Sequence, residues 1–171
     1  MKPTNESILV FKFGGASVKS AAAIDNVIDI LKLYADRKIV VVVSAMGKTT
    51  NQLESLFDAA LNQEKDLFIS RKEALHAFHI EIVKALFSDD VYENIKNKIN
   101  LVFDEIIDFY NEKSDKSRGQ RYDSFVSFGE HLSSMILQFK IRQDLNKSLW
   151  SDARKLIKTD DQFQRANVDW P

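Results

Sequence analysis

Ile39-Val40-Val41-Val42-Val43 is an unbroken run of β-branched residues with no polar side chain inside it. Branching at Cβ stiffens the side chain and favours extended backbone. A strand that meets water on one face alternates apolar and polar residues. This run does not alternate, so it predicts a strand buried on both faces, as in parallel sheets. Parallel neighbours need a crossover, and one stands just upstream. Ile24, Val27, Ile28, Leu31 and Tyr34 recur at spacings of three and four and predict a helix from about Ser20 to Asp36. Before it, Ile8-Leu9-Val10-Phe11-Lys12-Phe13 reads as a strand stopped by Gly14-Gly15. Strand, helix, strand is a βαβ unit with a right-handed crossover. Ile8–Phe13 and Ile39–Ser44 should therefore be neighbouring parallel strands, with the loops that follow them at one sheet edge.

The rest of the chain reads as mostly helical. A short helix is expected from about Asn51 to Leu61, with Leu53, Leu56, Phe57 and Ala60 on one side. Leu75, Phe78, Ile82 and Leu86 mark a longer one. Val91, Ile95, Ile99, Val102, Ile106 and Phe109 form the clearest amphipathic stripe in the chain. Asn111 to Gly119 is charged and reads as an exposed loop. Another helix is expected from about Phe128 to Leu145, then a short strand at Ser148-Leu149-Trp150 followed by Lys155-Leu156-Ile157. The assembly these elements suit is an α/β sheet with helices on its faces.

Of the 171 residues, 44% are hydrophobic and 29% charged, with a net charge of −1. That composition is globular and gives no electrostatic reason to expect nucleic acid or a membrane as partner. Cysteine is absent, which excludes disulfides and thiolate metal sites and fits a reducing cytoplasm. The opening Met1 to Ser7 is short and polar, with no apolar leader behind it, so a cytoplasmic protein is the expectation.

Three segments carry chemistry. In Phe11-Lys12-Phe13-Gly14-Gly15-Ala16-Ser17-Val18, paired glycines at a strand end let backbone N–H groups approach a phosphate, and a following helix adds its dipole. Lys12 points away from the face that Phe11 and Phe13 pack and could neutralise a transferring phosphoryl group. A tight turn with Lys12 in water is the structural alternative. In Val43-Ser44-Ala45-Met46-Gly47-Lys48-Thr49-Thr50-Asn51, the Gly-Lys-Thr triplet mimics a P-loop, but Val42 stands where that loop needs its first glycine. What remains is a hydroxyl-rich loop in which Thr50 or Asn51 caps the next helix or orients an anion there. In Ser127-Phe128-Gly129-Glu130-His131, Ser127 and Glu130 have capping-box spacing; alternatively, Gly129 clears room for Glu130 to meet an ammonium group. His76 and His79 stand three apart near Glu73 and Glu81, but those charges suit a solvated helix face better than a metal site.

Taken in order, these segments and the tail Asp152-Ala153-Arg154-Lys155 through Thr159-Asp160 and Phe163 resemble the signatures of aspartokinases. The resemblance covers essentially the whole chain. It implies an incomplete three-layer α/β sandwich, mostly parallel with helices on both faces, in which residues 1–171 form the amino-terminal portion of an amino-acid kinase catalytic domain. The nucleotide-binding half and regulatory modules of such enzymes would lie outside it, leaving this portion alone inactive. The implied reaction moves the ATP γ-phosphoryl group to the β-carboxylate of L-aspartate in amino-acid biosynthesis, with Mg2+ bridging the phosphates. Lys12, Phe13, Gly14, Gly15 and Ser17 would hold ATP, with Lys12 stabilising the transferred group. Ser44, Thr50 and Glu130 would hold aspartate, Glu130 taking its ammonium. Lys12, Thr50 and Glu130 should then share one cleft. No protein ligand to a metal is implied, and a homo-oligomer is left open. The sequence departs from the family at Ala16, usually threonine, and at His131. Alternatives are another amino-acid kinase, such as a glutamate kinase, and a non-catalytic aspartate-binding or interaction module.

Overall fold

A computed structural model of the protein describes residues 7–146 and 148–170. Strands β1 (Leu9–Phe13) and β2 (Ile39–Val43) pair in parallel, from Leu9 opposite Ile39 to Phe13 opposite Val43. Between them runs α1 (Ala21–Lys32), whose Ile24, Val27, Ile28 and Leu31 are all buried. Ser20 caps it, its hydroxyl accepting from Ala23 N–H at 3.3 Å. The expected βαβ unit is formed. The helix stops short of Asp36, and Tyr34 in the turn beyond packs its ring 5.1 Å from that of Phe11.

The expectation of burial on both faces does not hold for these strands. Phe11, Phe13, Ile39, Val41 and Val43 pack on the core, and α6 (Phe128–Leu145) lies against β2. Val10, Val40 and Val42, pointing the other way, are 68%, 46% and 48% exposed. The period of two sends alternate residues to opposite faces, and among the described residues helices cover only one. The architecture is thus a helix-rich, incomplete form of the α/β sandwich.

Helices α2 (Thr49–Leu61), α3 (Lys65–Leu86), α4 (Asp89–Asn111) and α5 (Arg118–Val126) build the rest of the core with α6. Phe57, Phe109 and Phe125 meet with ring centroids 4.6 to 5.7 Å apart and join α2, α4 and α5. The Tyr122 hydroxyl donates to Glu54, a bond that pushes its ionisation up to about 12. Helix α5 was not legible in the sequence, because Phe125 is its only buried residue. Helix α6 is buried around most of its circumference, and even Lys140 is 8% exposed, paired with Asp144 at 3.2 Å and with Asp25 of α1 at 3.5 Å.

The short strand expected at Ser148-Leu149-Trp150 is not present. That segment has no regular secondary structure and pairs with no strand among the described residues, and Lys155 and Leu156 fall in a one-turn helix, α7 (Ala153–Leu156), exposed throughout. The single bridge in the tail joins Thr159 to Val168. No helix among the described residues is long and apolar enough to cross a membrane.

Candidate active site

The carboxyl ends of two parallel strands carry loops that must share one sheet edge, and here the loops are bonded together. Ser44 N–H donates to the Phe13 carbonyl at 3.1 Å, and Gly47 N–H to the Gly15 carbonyl at 2.9 Å. Gly15 opens a single 3-10 turn, Gly15–Val18, in which Ser17 N–H returns to the Gly14 carbonyl at 2.9 Å. A side chain at Gly15 could not be fitted, since its Cβ would lie 2.5 Å from the Ala45 carbonyl oxygen. Gly47 sits at φ 53°, in the left-handed region. Glycine at position 15 is therefore required by the approach of the two loops, and at position 47 it is favoured by the left-handed backbone.

Lys12 lies on the open face of β1, and its Nζ is 3.7 Å from where a Cβ on Gly14 would be. Nothing else comes within 4 Å of that point, so the Gly14 backbone is open on that side under an ammonium group. Lys12, Lys19 and Lys48 all flank these loops, and none of them forms an ion pair among the described residues. Phe13 differs from the sequence expectation. Its side chain is buried in the core and its carbonyl is taken by Ser44, so it joins the strands rather than lining the edge. Ser17 is exposed in the 3-10 turn.

Neither Thr50 nor Asn51 caps α2. The helix begins at Thr49, two residues before the expected Asn51, behind Lys48 and with no side-chain cap, and Thr49 N–H bonds the Met46 carbonyl at 2.9 Å. Thr50 is half-buried in the first turn, and its hydroxyl has no partner among the described residues. The Thr49 hydroxyl is buried and likewise unpartnered.

Glu130 does not close a capping box. Ser127 Oγ donates instead to the Ser124 carbonyl at 2.8 Å, and Glu130 reaches across to the loop after β2, where its Oε1 accepts from Ala45 N–H at 3.2 Å. Gly129 permits this crossing. A Cβ there would stand 2.8 Å from Ala45 Cβ and 3.2 Å from Leu53 Cδ1, so α6 starts directly against the Ser44–Gly47 loop and α2. Sequence reasoning missed Ala45 as the anchor of Glu130, and no local signal points to it.

Glu130 and Gly15 thus both touch the Ser44–Gly47 loop, Lys12 covers the neighbouring Gly14, and Thr50 opens the helix behind that loop. Lys12 and Glu130 are exposed, so the edge is an open shelf rather than an enclosed cleft. Two grooves lie elsewhere, one between α4 and α5 at Glu105, Asp108 and Glu112, the other between α3 and α4 at Lys72, His76 and Asn100. Neither is lined by Lys12, Thr50 or Glu130.

His76 and His79 point apart. His76 Nε2 meets Asn100 Oδ1 at 2.8 Å, while His79 is wholly buried, with Nδ1 donating to the Leu75 carbonyl at 2.8 Å. The solvated face expected for this pair is not what His79 occupies. Burial pushes its imidazole down to about 4.

A model of the amino acid kinase family matches residues 7–169. The chain is 28% identical over 162 residues to lysine-sensitive aspartokinase 3 of Escherichia coli (strain K12), covering 95% of this chain and 34% of that protein. It is 33% identical over 162 residues to the chloroplastic aspartokinase 1 of Arabidopsis thaliana, covering 89% and 27%. Among solved structures, E. coli aspartokinase III in complex with aspartate and ADP (R-state) matches with a TM-score of 0.81 at 27% identity, over 95% of this chain and 35% of that one. The same enzyme in complex with lysine and aspartate (T-state) gives 0.79 at 25% identity, over 97% and 35%. The chain therefore spans about a third of the length of these relatives. With the family pattern running from the first strand through the tail, this chain belongs to the amino acid kinase family.

Proposed function

We propose that this chain is the amino-terminal portion of an aspartate kinase catalytic domain, and that the shelf at the strand ends binds L-aspartate beside the phosphates of ATP. The observation that carries the reading is Glu130. A carboxylate used for capping would be spent at its own helix; this one is drawn across to Ala45 through one oxygen, and the other remains for a ligand ammonium. The neighbouring Thr50 hydroxyl and α2 N-terminus suit a carboxylate, with Ser44 lining the same loop. On the other side, Gly14 and Gly15 offer backbone to phosphate oxygens, Ser17 adds a hydroxyl, and Lys12 supplies a positive charge where the γ-phosphoryl group would pass.

In the proposed transfer an oxygen of the aspartate β-carboxylate attacks the γ-phosphorus in line while the bond to the bridging oxygen breaks, and ADP leaves. The attacking carboxylate is already ionised, so no general base is needed. The chain's residues position and neutralise. A bound magnesium ion would offset phosphate charge; no group of three or more acidic or histidine side chains that could hold one occurs among the described residues.

The test is calorimetry of this chain, and of a polypeptide extended to the length of the relatives, with L-aspartate, L-glutamate and ATP. Aspartate should bind in preference to glutamate. Glu130→Gln keeps an oxygen for Ala45 N–H but removes the charge, so aspartate affinity should fall about tenfold or more, with ATP affinity unchanged. Preference for glutamate would favour a glutamate kinase instead. Aspartate binding by the extended polypeptide that ignored the Glu130 change would refute the assignment of that residue.

A further inference from the structure

The tail that follows α6 turns back along that helix as a strap. Asn146 ends α6 in the left-handed conformation, at φ 60°. Beyond it, Gln138 Nε2 donates to Ser148 Oγ at 3.4 Å and Trp150 Nε1 to Ser134 Oγ at 3.0 Å. Arg154 reaches the start of the helix, where Nη1 donates to Ser127 Oγ at 3.3 Å and Nη2 lies 3.0 Å from His131 Nδ1. Successive strap residues thus meet successive turns of α6, in reverse order. The Trp150 ring stands edge-on to the imidazole of His131, with centroids 5.2 Å apart.

An arginine guanidinium has only N–H donors. His131 Nδ1 must therefore be the acceptor, which requires a neutral imidazole carrying its proton on Nε2. An imidazolium donates from both nitrogens and could not make this bond. Protonation would also set a second positive charge against Arg154. Asp152 is already engaged by Arg154, whose Nε and Nη2 lie 2.9 and 2.7 Å from its two carboxylate oxygens. We propose that the His131–Arg154 contact is a proton-operated latch, closed when His131 is neutral and opened by acid, which releases residues 150–154 of the strap from the amino-terminal half of α6.

The charged groups facing His131 are Arg154 and Asp152 on the strap and Glu105 on α4, with Glu130 its neighbour in α6. Burial first, then Arg154, hold the imidazole below its ordinary value of 6.5, while Asp152 and Glu105 pull the other way. The net direction is downward, so the open form takes up the proton more readily than the closed one. The latch is complete above 6.5 and loosens as the pH falls below it. The same turn of α6 carries Glu130, so release would loosen the wall beside the shelf. The inference does not depend on the activity proposed above.

The experiment uses this chain with Trp170→Phe, leaving Trp150 as its only indole, and reads emission and the imidazole resonances from pH 8 to pH 5. The chain has three histidines, so His131 is assigned by its loss in His131→Gln. Trp150 emission should change in one step that coincides with His131 titration, at a midpoint below 6.5. His131→Gln should abolish the step, because an amide oxygen accepts from Arg154 at every pH. Arg154→Gln should move the His131 midpoint upward. Far-UV circular dichroism of each variant checks that the helices remain. A step surviving in His131→Gln, a midpoint at or above 6.5, or a midpoint unmoved by Arg154→Gln would each overturn the latch.

Discussion

Replacing Gly15 with alanine should destabilise this protein by about 2–4 kcal/mol, while the same change at Gly14 should cost within about 0.5 kcal/mol. The two glycines are adjacent in sequence and opposite in constraint. A Cβ on Gly15 would fall 2.5 Å from the Ala45 carbonyl oxygen and 3.1 Å from that of Gly47, both backbone atoms that cannot swing away. The loops would have to separate, lengthening the Gly47 N–H to Gly15 bond of 2.9 Å and moving the Ala45 N–H that anchors Glu130. Gly14 has φ −76° and ψ 168°, open to any residue, and its only near neighbour is the flexible Lys12 ammonium. Urea unfolding of the two variants measures the difference. Under the proposed assignment of the shelf, calorimetry should show aspartate binding lost with Gly15→Ala, through the displaced Glu130 and not through any lost side chain. Equal stability of the two variants would mean that the loops are not locked as described.

Stability should also fall by roughly 3 kcal/mol between pH 7 and pH 4 through His79 alone. This imidazole is wholly buried between α3 and α4, with Phe78 and Phe103 beside it, and its Nε2 has no partner among the described residues. Its folded value is about 4 against an ordinary 6.5. The sign follows from proton uptake. The unfolded chain binds a proton at His79 across this window and the folded chain does not, so stability is full above 6.5 and is lost as the pH falls toward 4. His79→Leu removes both the titration and the unpartnered nitrogen. It should change stability at pH 7 by under about 1.5 kcal/mol and flatten the difference between pH 7 and pH 4. Chemical unfolding of both proteins at several pH values isolates the residue, because the other titrating groups are common to both. Parallel pH profiles would show that His79 does not carry the acid sensitivity.

The elements that the sequence made legible are those whose signal is local. Five β-branched residues in a row, a helical stripe through Ile24 to Leu31, and paired glycines after a strand specify the βαβ unit with both loops at one edge. The α4 stripe from Ile95 to Ile106 was legible for the same reason, since periodicity reports which face of an element is apolar. It does not report what covers that face. Val40 and Val42 are as apolar as Val41 and Val43, yet only the latter pair meets the core. His79 reads as part of a charged surface in sequence because its burial comes from Phe103, far along the chain. Helix α5 lacked any apolar pattern strong enough to place it, and Ser148-Leu149-Trp150 reads as a strand although no partner strand meets it among the described residues.

Glu130 shows where local information ends. Ser127 and Glu130 have the spacing of a capping box, and spacing alone cannot say whether the carboxylate turns back or reaches out. Its partner is Ala45, 85 residues away. The choice is made by the close approach that Gly129 allows between α6 and the loop after β2. The sequence by itself determined the strands, the main helices and the chemical groups at their ends. Only the tertiary structure decided which groups meet, because contact between distant segments depends on the packing of whole elements against one another.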